Sequence, residues 1–250
     1  KDLNNLANKL DRSEARRKLI VTDGVFSMDG DVADLSALSQ LAKQKDAWLM
    51  VDDAHGMAAL GHTGAGICEV QAVTQHDVQI LMGTLGKGFG TAGAFVAGSA
   101  ELIDYLTNFA RPYIYTTAMP ASIAAATLTS LNIIKTEPQR RAHLNDLIAH
   151  FRKEAALLGF NLMTSHTAIQ PLLVGDAEQA LAISNELKQQ GIMVTAIRPP
   201  TVPQGTSRLR ITLSAAHSVD HVDRLLSALN GLADIYPSIK KLDNTHGVSS

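Results

Sequence analysis

The stretch "AWLMVDDAHG", residues 47–56, joins a continuous apolar run to two acids and a histidine. An apolar run of this length that stops at polar residues predicts a buried strand. The strand would place Asp52, Asp53 and His55 at the edge of a core, where polar side chains need partners. Metal binding, proton transfer and cofactor binding all fit these residue types.

The segments on either side of this stretch predict strands that alternate with helices. "KLIVTDGVF" (18–26) predicts a strand that ends at an Asp-Gly turn, and residues 34–45 predict an amphipathic helix with Asp34 as its N-cap. Two further apolar runs, at 78–82 and 93–98, predict further strands. This order indicates an α/β fold with a mostly parallel sheet and helices on both faces.

The pattern changes after an Ala- and Leu-rich helix predicted at 119–135. Helices and strands then follow in an order that indicates a smaller α+β domain. They are predicted as helices at 140–157, 177–190 and 219–235, and strands at 169–174, 192–197 and 208–213. We therefore predict a large domain over 1–135, a C-terminal small domain over 136–236 and a polar tail over 237–250.

The composition excludes several classes of protein. Hydrophobic residues make up 46% of the chain and charged residues 18%, which is typical of a soluble globular protein. A net charge of −2 gives no electrostatic attraction for nucleic acid or for an anionic membrane. The single cysteine, Cys68, excludes an internal disulfide and favours a cytoplasmic location. No apolar run is long enough to span a membrane.

The glycine-rich segment "GTLGKGFGTAG" (83–93) allows three interpretations. A P-loop needs Ser or Thr directly after the lysine, where Gly88 stands. A dinucleotide-binding turn should open a helix and be followed by an acid about 20 residues later, where Tyr113 stands. The third interpretation concerns Lys87 itself. If the apolar, glycine-lined turn keeps water away, the neutral amine is favoured, and it can form a Schiff base.

These residues together predict a site for pyridoxal 5'-phosphate (PLP). PLP needs a Schiff-base lysine, a carboxylate at its ring nitrogen and a cradle for its phosphate. Lys87, an acid at a neighbouring strand end and the hydroxyl of Thr84 meet these needs. Two alternatives stay open: Lys87 as a solvated loop charge, and Asp52, Asp53 and His55 as a metal site, although no fourth ligand stands at a recognisable spacing.

Five blocks of sequence, in order between residues 18 and 232, resemble the α-oxoamine synthases. These are PLP-dependent enzymes of the aspartate-aminotransferase fold type I. The blocks are "TDGVFSMDGD" (22–31), "WLMVDDAHG" (48–56), "GTLGKGFG" (83–90), "YIYTTAMP" (113–120) and "AIRPPTVPQGTSRLRITLSAAH" (196–217).

The resemblance implies a role for each matching residue. Lys87 would form the Schiff base, Asp52 would hold the ring nitrogen, and His55 would bind the phenolic oxygen of PLP. Further implied contacts are Ser27 beside that oxygen, Thr84 at the phosphate, Thr116 and Thr117 at the phosphate of a partner subunit, and Arg198 and Thr201 at the substrate carboxylate and acyl chain. Contacts across subunits imply a homodimer, and no metal is implied.

The resemblance also implies a reaction, the decarboxylative condensation of L-alanine with a pimeloyl thioester carried by coenzyme A or a carrier protein. Relatives that use other substrates, and a non-catalytic dimeric scaffold, are the alternatives. The family's phosphate-binding glycine loop and ring-stacking histidine have no counterpart before residue 18. We therefore expect this sequence to be the C-terminal two-thirds of such an enzyme.

Overall fold

The computed structural model describes residues 2–241, which form two compact units. The first unit comprises residues 2–26 and 32–141, and the second comprises residues 27–31 and 142–241. No helix within residues 2–241 is long and apolar enough to cross a membrane.

The first unit contains a four-stranded sheet in the order β1-β2-β3-β4. β1, β2 and β3 are parallel and β4 is antiparallel, so the predicted mostly parallel sheet is confirmed. The elements are α1 (Leu3–Asp11), β1 (Lys18–Asp23), α2 (Leu35–Gln44), β2 (Ala47–Asp52), α3 (Ile67–Val70), β3 (Ile80–Thr84), β4 (Ala94–Ala97), α4 (Ala100–Phe109), α5 (Arg111–Ile114) and α6 (Ala121–Thr136).

Helix α2 packs on one face of this sheet. Its buried Leu35 and Leu38 belong to the same apolar cluster as Leu49 and Val51 of β2. The helix begins as predicted, because the Asp34 carboxylate accepts a hydrogen bond from the Ala37 N–H at 2.9 Å. The packing fixes which side of β2 faces the core.

The opposite face of β1 and β2 is not covered by the residues that the structure describes. Val21 is 60% exposed and Trp48 is 52% exposed, and Leu19 lies beside Trp48 in register. The sequence predicts helices on both faces, because its apolar runs indicate burial on both. In residues 2–241, the helical cover at these two strands is on the α2 face.

The second unit is a smaller α+β unit with a three-stranded antiparallel sheet in the order β5-β7-β6. Its elements are α7 (Gln139–Leu157, which starts in the first unit), β5 (Ile169–Gly175), α8 (Ala177–Gln189), β6 (Thr195–Ile197), β7 (Ser207–Thr212), α9 (Val219–Leu232) and a 3₁₀ turn (Pro237–Ile239). Ile239 is fully buried, so residues 237–241 of the predicted tail pack on this unit. The remainder of that tail lies outside the described residues.

Residues 27–31 belong to the second unit although they lie between β1 and α2 in sequence. The carbonyl oxygen of Gly30 accepts hydrogen bonds from the Ser165 and Thr167 hydroxyls, each at 3.0 Å. Arg208, which is 4% exposed, pairs with the Asp29 carboxylate. These buried polar contacts fix the segment that carries Ser27.

We predict that Phe151→Ala destabilises the second unit strongly. Phe151 is 0% exposed in the core of this unit, so truncation leaves a cavity and should cost about 3–5 kcal/mol. Leu157→Ala on the same helix is the control, because Leu157 is 73% exposed. Urea unfolding of the chain measures both variants, and equal losses of stability would contradict this assignment of the core.

Candidate active site

Three polar side chains share one face at the carboxyl ends of neighbouring strands. Asp23 ends β1 and pairs in register with Asp52, which ends β2 and pairs with Met82 of β3. Thr84 follows Met82 by two residues, and side chains alternate between the faces of a strand. Asp23, Asp52 and Thr84 therefore lie on the face opposite to α2.

Asp23 and Asp52 are half-buried neighbours on strands that lie about 4.8 Å apart. Burial raises the pKa of Asp23, the negative charge of Asp52 raises it further, and the positive charge of Lys87 opposes both. These three charged groups are thus close enough to influence one another. The Oδ1 atom of Asp52 accepts a hydrogen bond from the Ala54 N–H at 2.9 Å, which leaves Oδ2 able to accept another donor.

Lys87 lies on a loop that is closed by backbone hydrogen bonds. The Leu85 N–H donates to Gly93 O and the Thr91 N–H donates to Leu85 O, each at 2.8 Å. The Ser130 hydroxyl of α6 donates to the Phe89 carbonyl at 2.7 Å. The expected shielding of Lys87 from water is absent from the described chain. Lys87 is exposed, because the glycines on either side carry no side chains to cover it.

The Lys87 loop packs against the turn that carries His55. A Cβ atom on Gly88 would lie 2.5 Å from Met57 O, so only glycine fits there without movement. The turn itself is closed by the N–H groups of Gly56 and Met57, which donate to Asp53 O at 3.1 and 3.0 Å. His55, which is half-buried, therefore sits on a fixed turn beside the lysine loop.

Asp53 lies on the core side of the sheet, away from Asp52. Its side chain is 0% exposed, and Oδ2 accepts a hydrogen bond from the Ile67 N–H at 2.7 Å. A Cβ atom on Gly56 or Gly66 would overlap its carboxylate. Burial raises the pKa of Asp53 to about 6, although the Ile67 and Gly56 N–H groups lower it.

Asp52 and Asp53 point in opposite directions, whereas the metal interpretation needs both carboxylates at one ion. Within residues 2–241, no three His, Cys, Asp or Glu side chains form a group able to hold a metal. Burial also raises the pKa of Cys68 to about 11, so its thiol is neutral at pH 7. Asp52 and Lys87 are the candidate reactive groups that remain at this edge.

The same face carries a hydroxyl group that could bind a phosphate. The Oγ1 atom of Thr84 is buried and has no hydrogen-bond partner among the described residues. Gly90, at φ +66°, has open space where a side chain would stand. Hydroxyl donors and exposed glycine backbone are both groups that bind phosphate oxygens. The residues present therefore fit the phosphate end of PLP, with Lys87 and Asp52 available for its ring.

The remaining predicted site residues lie elsewhere. Thr116 and Thr117 are exposed between α5 and α6 of the first unit. Ser27, Arg198 and Thr201 belong to the second unit. There, the Thr201 N–H donates to Arg198 O at 3.0 Å in an exposed turn.

Sequence reasoning did not single out Asp23 or Arg210. Asp23 was assigned only to a turn, yet it ends β1 as Asp52 ends β2, and the ends of parallel strands meet at one edge. That equivalence was a usable signal. Arg210 donates from Nε to Ser27 O at 2.6 Å, a contact between residues 183 positions apart that no local pattern indicates.

Comparison with known proteins gives a family and close relatives. The family model for class I and II aminotransferases matches residues 1–229. An 8-amino-7-oxononanoate synthase from Pseudomonas savastanoi pv. phaseolicola (strain 1448A / Race 6) is 56% identical over 247 residues, which cover 99% of this chain and 61% of the relative. One from Cellvibrio japonicus (strain Ueda107) is 57% identical, with 93% and 61% covered. The chain spans about three fifths of the length of these relatives.

A solved structure shares the fold. Serine palmitoyltransferase from S. paucimobilis, with bound PLP and myriocin, superposes with a TM-score of 0.89 at 29% sequence identity. The match covers 95% of this chain and 60% of that one.

We predict that Asp53→Asn removes part of the pH dependence of stability. The folded-state pKa of Asp53 is about 6, above its ordinary 3.8, so folding favours the protonated acid. Wild-type stability should fall as pH rises from about 4 to 6 by on the order of 3 kcal/mol through this group, and asparagine has no such proton to lose. Urea unfolding at pH 4 and pH 7 measures the difference.

The control for that experiment is Asp46→Asn, which changes the same charge at an exposed position. Asp46→Asn should leave the wild-type difference between pH 4 and pH 7 in place. A pH dependence of Asp53→Asn equal to that of wild type would contradict the buried, proton-holding state of Asp53.

Proposed function

The chain belongs to the class I and II aminotransferase family, and we propose that it forms part of an 8-amino-7-oxononanoate synthase. The reaction is the decarboxylative condensation of L-alanine with a pimeloyl thioester, carried by coenzyme A or an acyl carrier protein, in biotin biosynthesis. The observation that carries the proposal is that Asp52 and Thr84 share one face of the sheet, with Lys87 on the loop that follows Thr84. The buried Thr84 hydroxyl has no hydrogen-bond partner in the described chain.

PLP is the cofactor that this arrangement supports. When bound, PLP supplies an electron sink for the α-carbon of an amino acid. Thr84 Oγ1 would donate to the phosphate, and the Asp52 carboxylate would hold a proton on the ring nitrogen by its charge. His55 would donate to the phenolic oxygen, with Ser27 beside that oxygen.

Lys87 would do the covalent and proton-transfer work. Its Nζ atom would hold PLP through the cofactor's aldehyde carbon and, when not bonded to PLP, would take the α-proton of the substrate. Its exposed position would leave Nζ accessible to both the cofactor and the substrate. Arg198 and Thr201 would bind the substrate carboxylate and acyl chain.

A homodimer is the assembly that the exposed surface of the first unit supports. Around Thr116 and Thr117 the chain exposes large apolar side chains, which in a soluble protein mark interaction sites. They are Tyr105, Phe109, Tyr113, Ile114, Tyr115 and Met119, exposed by between 42% and 77%. Thr116 and Thr117 would then reach the phosphate in the partner's site. The single cysteine and the substrates support a cytoplasmic location.

The alternatives keep the same fold. Glycine C-acetyltransferase, another α-oxoamine synthase, would use the same Lys87, Asp52 and Thr84 with different substrates. A non-catalytic dimeric scaffold would keep the exposed apolar surface and lose the covalent chemistry at Lys87. The relatives named 8-amino-7-oxononanoate synthase, at 56% and 57% identity, favour the first proposal.

We predict that borohydride reduction in the presence of PLP labels Lys87. Reduction should fix a pyridoxyl group on its Nζ atom, and peptide mass spectrometry locates that group. Lys87→Ala should lose the label, whereas Lys135→Ala, which removes an exposed lysine of α6, should keep it. A label on another lysine would refute the assignment of Lys87. The absence of any label on wild type would refute the covalent PLP site.

We predict a dimer that depends on the exposed apolar surface. Tyr115, 77% exposed, is changed to glutamate, and Met193, 90% exposed in the second unit, is changed likewise as the control. Sedimentation at micromolar concentration with PLP should show a wild-type dimer. Tyr115→Glu should weaken it by about tenfold or more, and Met193→Glu should not. A monomeric wild type, or equal effects of both changes, would contradict this interface.

A further inference from the structure

Asp23 is a half-buried acid at the edge of the first unit's sheet, and the proposed function gives it no role. It ends β1, pairs in register with Asp52 and shares the face of Asp52 and Thr84. Two carboxylates on adjacent strand ends repel each other, so the arrangement is costly without a positive charge nearby.

The described residues satisfy that need only in part. The positive charge of Lys87 acts on Asp23, yet burial and the Asp52 charge outweigh it and leave the pKa of Asp23 raised. Within residues 2–241 the Asp23 carboxylate makes no hydrogen bond or ion pair, whereas Asp52 accepts one from the Ala54 N–H. The charge of Lys87 therefore does not fully compensate the two carboxylates, and they can also interact with a cation that is not part of this chain.

We propose that Asp23 is a positioning residue, and this inference rests on the proposed PLP site. Asp23 would act through Asp52 and strengthen the interaction of Asp52 with the protonated ring nitrogen of PLP. The pair has the right layout for this role. Asp52 Oδ2 is able to accept the ring N–H, and Asp23 stands one strand further along the same face. The added negative charge favours the protonated over the neutral ring nitrogen, which is the form that draws electrons from the substrate.

The other acids at the two ends of β2 do not fit this role. Asp53 lies on the core side of the sheet, where its carboxylate binds the Ile67 N–H. Asp46 lies just before β2, at the opposite end of the strand from Asp52, and is exposed. Asp46 has φ +48°, a conformation that asparagine also adopts readily. Asp46→Asn is therefore a matched control for Asp23→Asn.

The test compares the binding of two cofactors by equilibrium titration. One is PLP, and the other is the PLP analogue in which a C–H group replaces the ring nitrogen. Wild type should prefer PLP. Asp23→Asn should bind PLP about tenfold more weakly, the effect of one pKa unit, and should bind the analogue as wild type does. Asp46→Asn should change neither affinity.

A double-mutant cycle checks that Asp23 acts through Asp52. In an Asp52→Asn background, Asp23→Asn should cost clearly less PLP affinity than in wild type. A wild-type preference for PLP that survives Asp23→Asn, or an equal loss of PLP and analogue, would overturn this inference and leave the proposed function intact. Equal wild-type affinity for the two cofactors would overturn the ring-nitrogen contact of the proposed function, and this inference with it.

Discussion

The alternation of side chains at the end of β2 is the constraint on which the site depends. Consecutive residues of a strand face opposite sides, so Asp52 and Asp53 cannot share a role. Packing of α2 on Leu49 and Val51 fixes which side is the core. Asp53 is thereby buried, and Asp52 is left on the face that carries Asp23 and Thr84. A shift of one residue would exchange the two acids.

The buried Asp53 stabilises the backbone that carries the candidate site residues. Its backbone carbonyl closes the turn of His55, and its carboxylate holds the Ile67 N–H. Gly56 and Gly66 make room for that carboxylate, and Gly88 lets the Lys87 loop approach the turn at Met57. The site is therefore built from two layers. A buried acid and close-packed glycines set the backbone, and the backbone presents Asp52, His55 and Lys87.

Much of this was readable in the sequence. The apolar runs predicted β1, β2, β3 and β4, and the polar residues that follow them predicted a site at the carboxyl ends of the strands. The Asp-Asp pair was ambiguous in sequence, because only the register and the helix packed on the strand decide which acid faces the core. The exposure of Lys87 was also missed, since flanking glycines line a turn without covering it.

Contacts between distant parts of the chain were beyond sequence reasoning. Residues 27–31 were expected in a loop of the large domain, and the structure assigns them to the second unit through Ser165, Thr167 and Arg208. Such pairings depend on which distant segments the tertiary fold brings together. Neither local structural propensity nor residue spacing in the sequence predicts this. The apolar runs likewise indicated strands buried on both faces without identifying what covers each face.

The most direct test of this account is the distance from the PLP ring nitrogen to the two acids, measured in a crystal structure of the chain with PLP bound. The account predicts a charge-assisted hydrogen bond of about 2.8 Å from the ring nitrogen to Asp52. Asp53 should keep its buried bond to the Ile67 N–H in the same structure. A ring nitrogen bonded to Asp53, or one that contacts neither acid, would contradict the division of roles that the strand imposes.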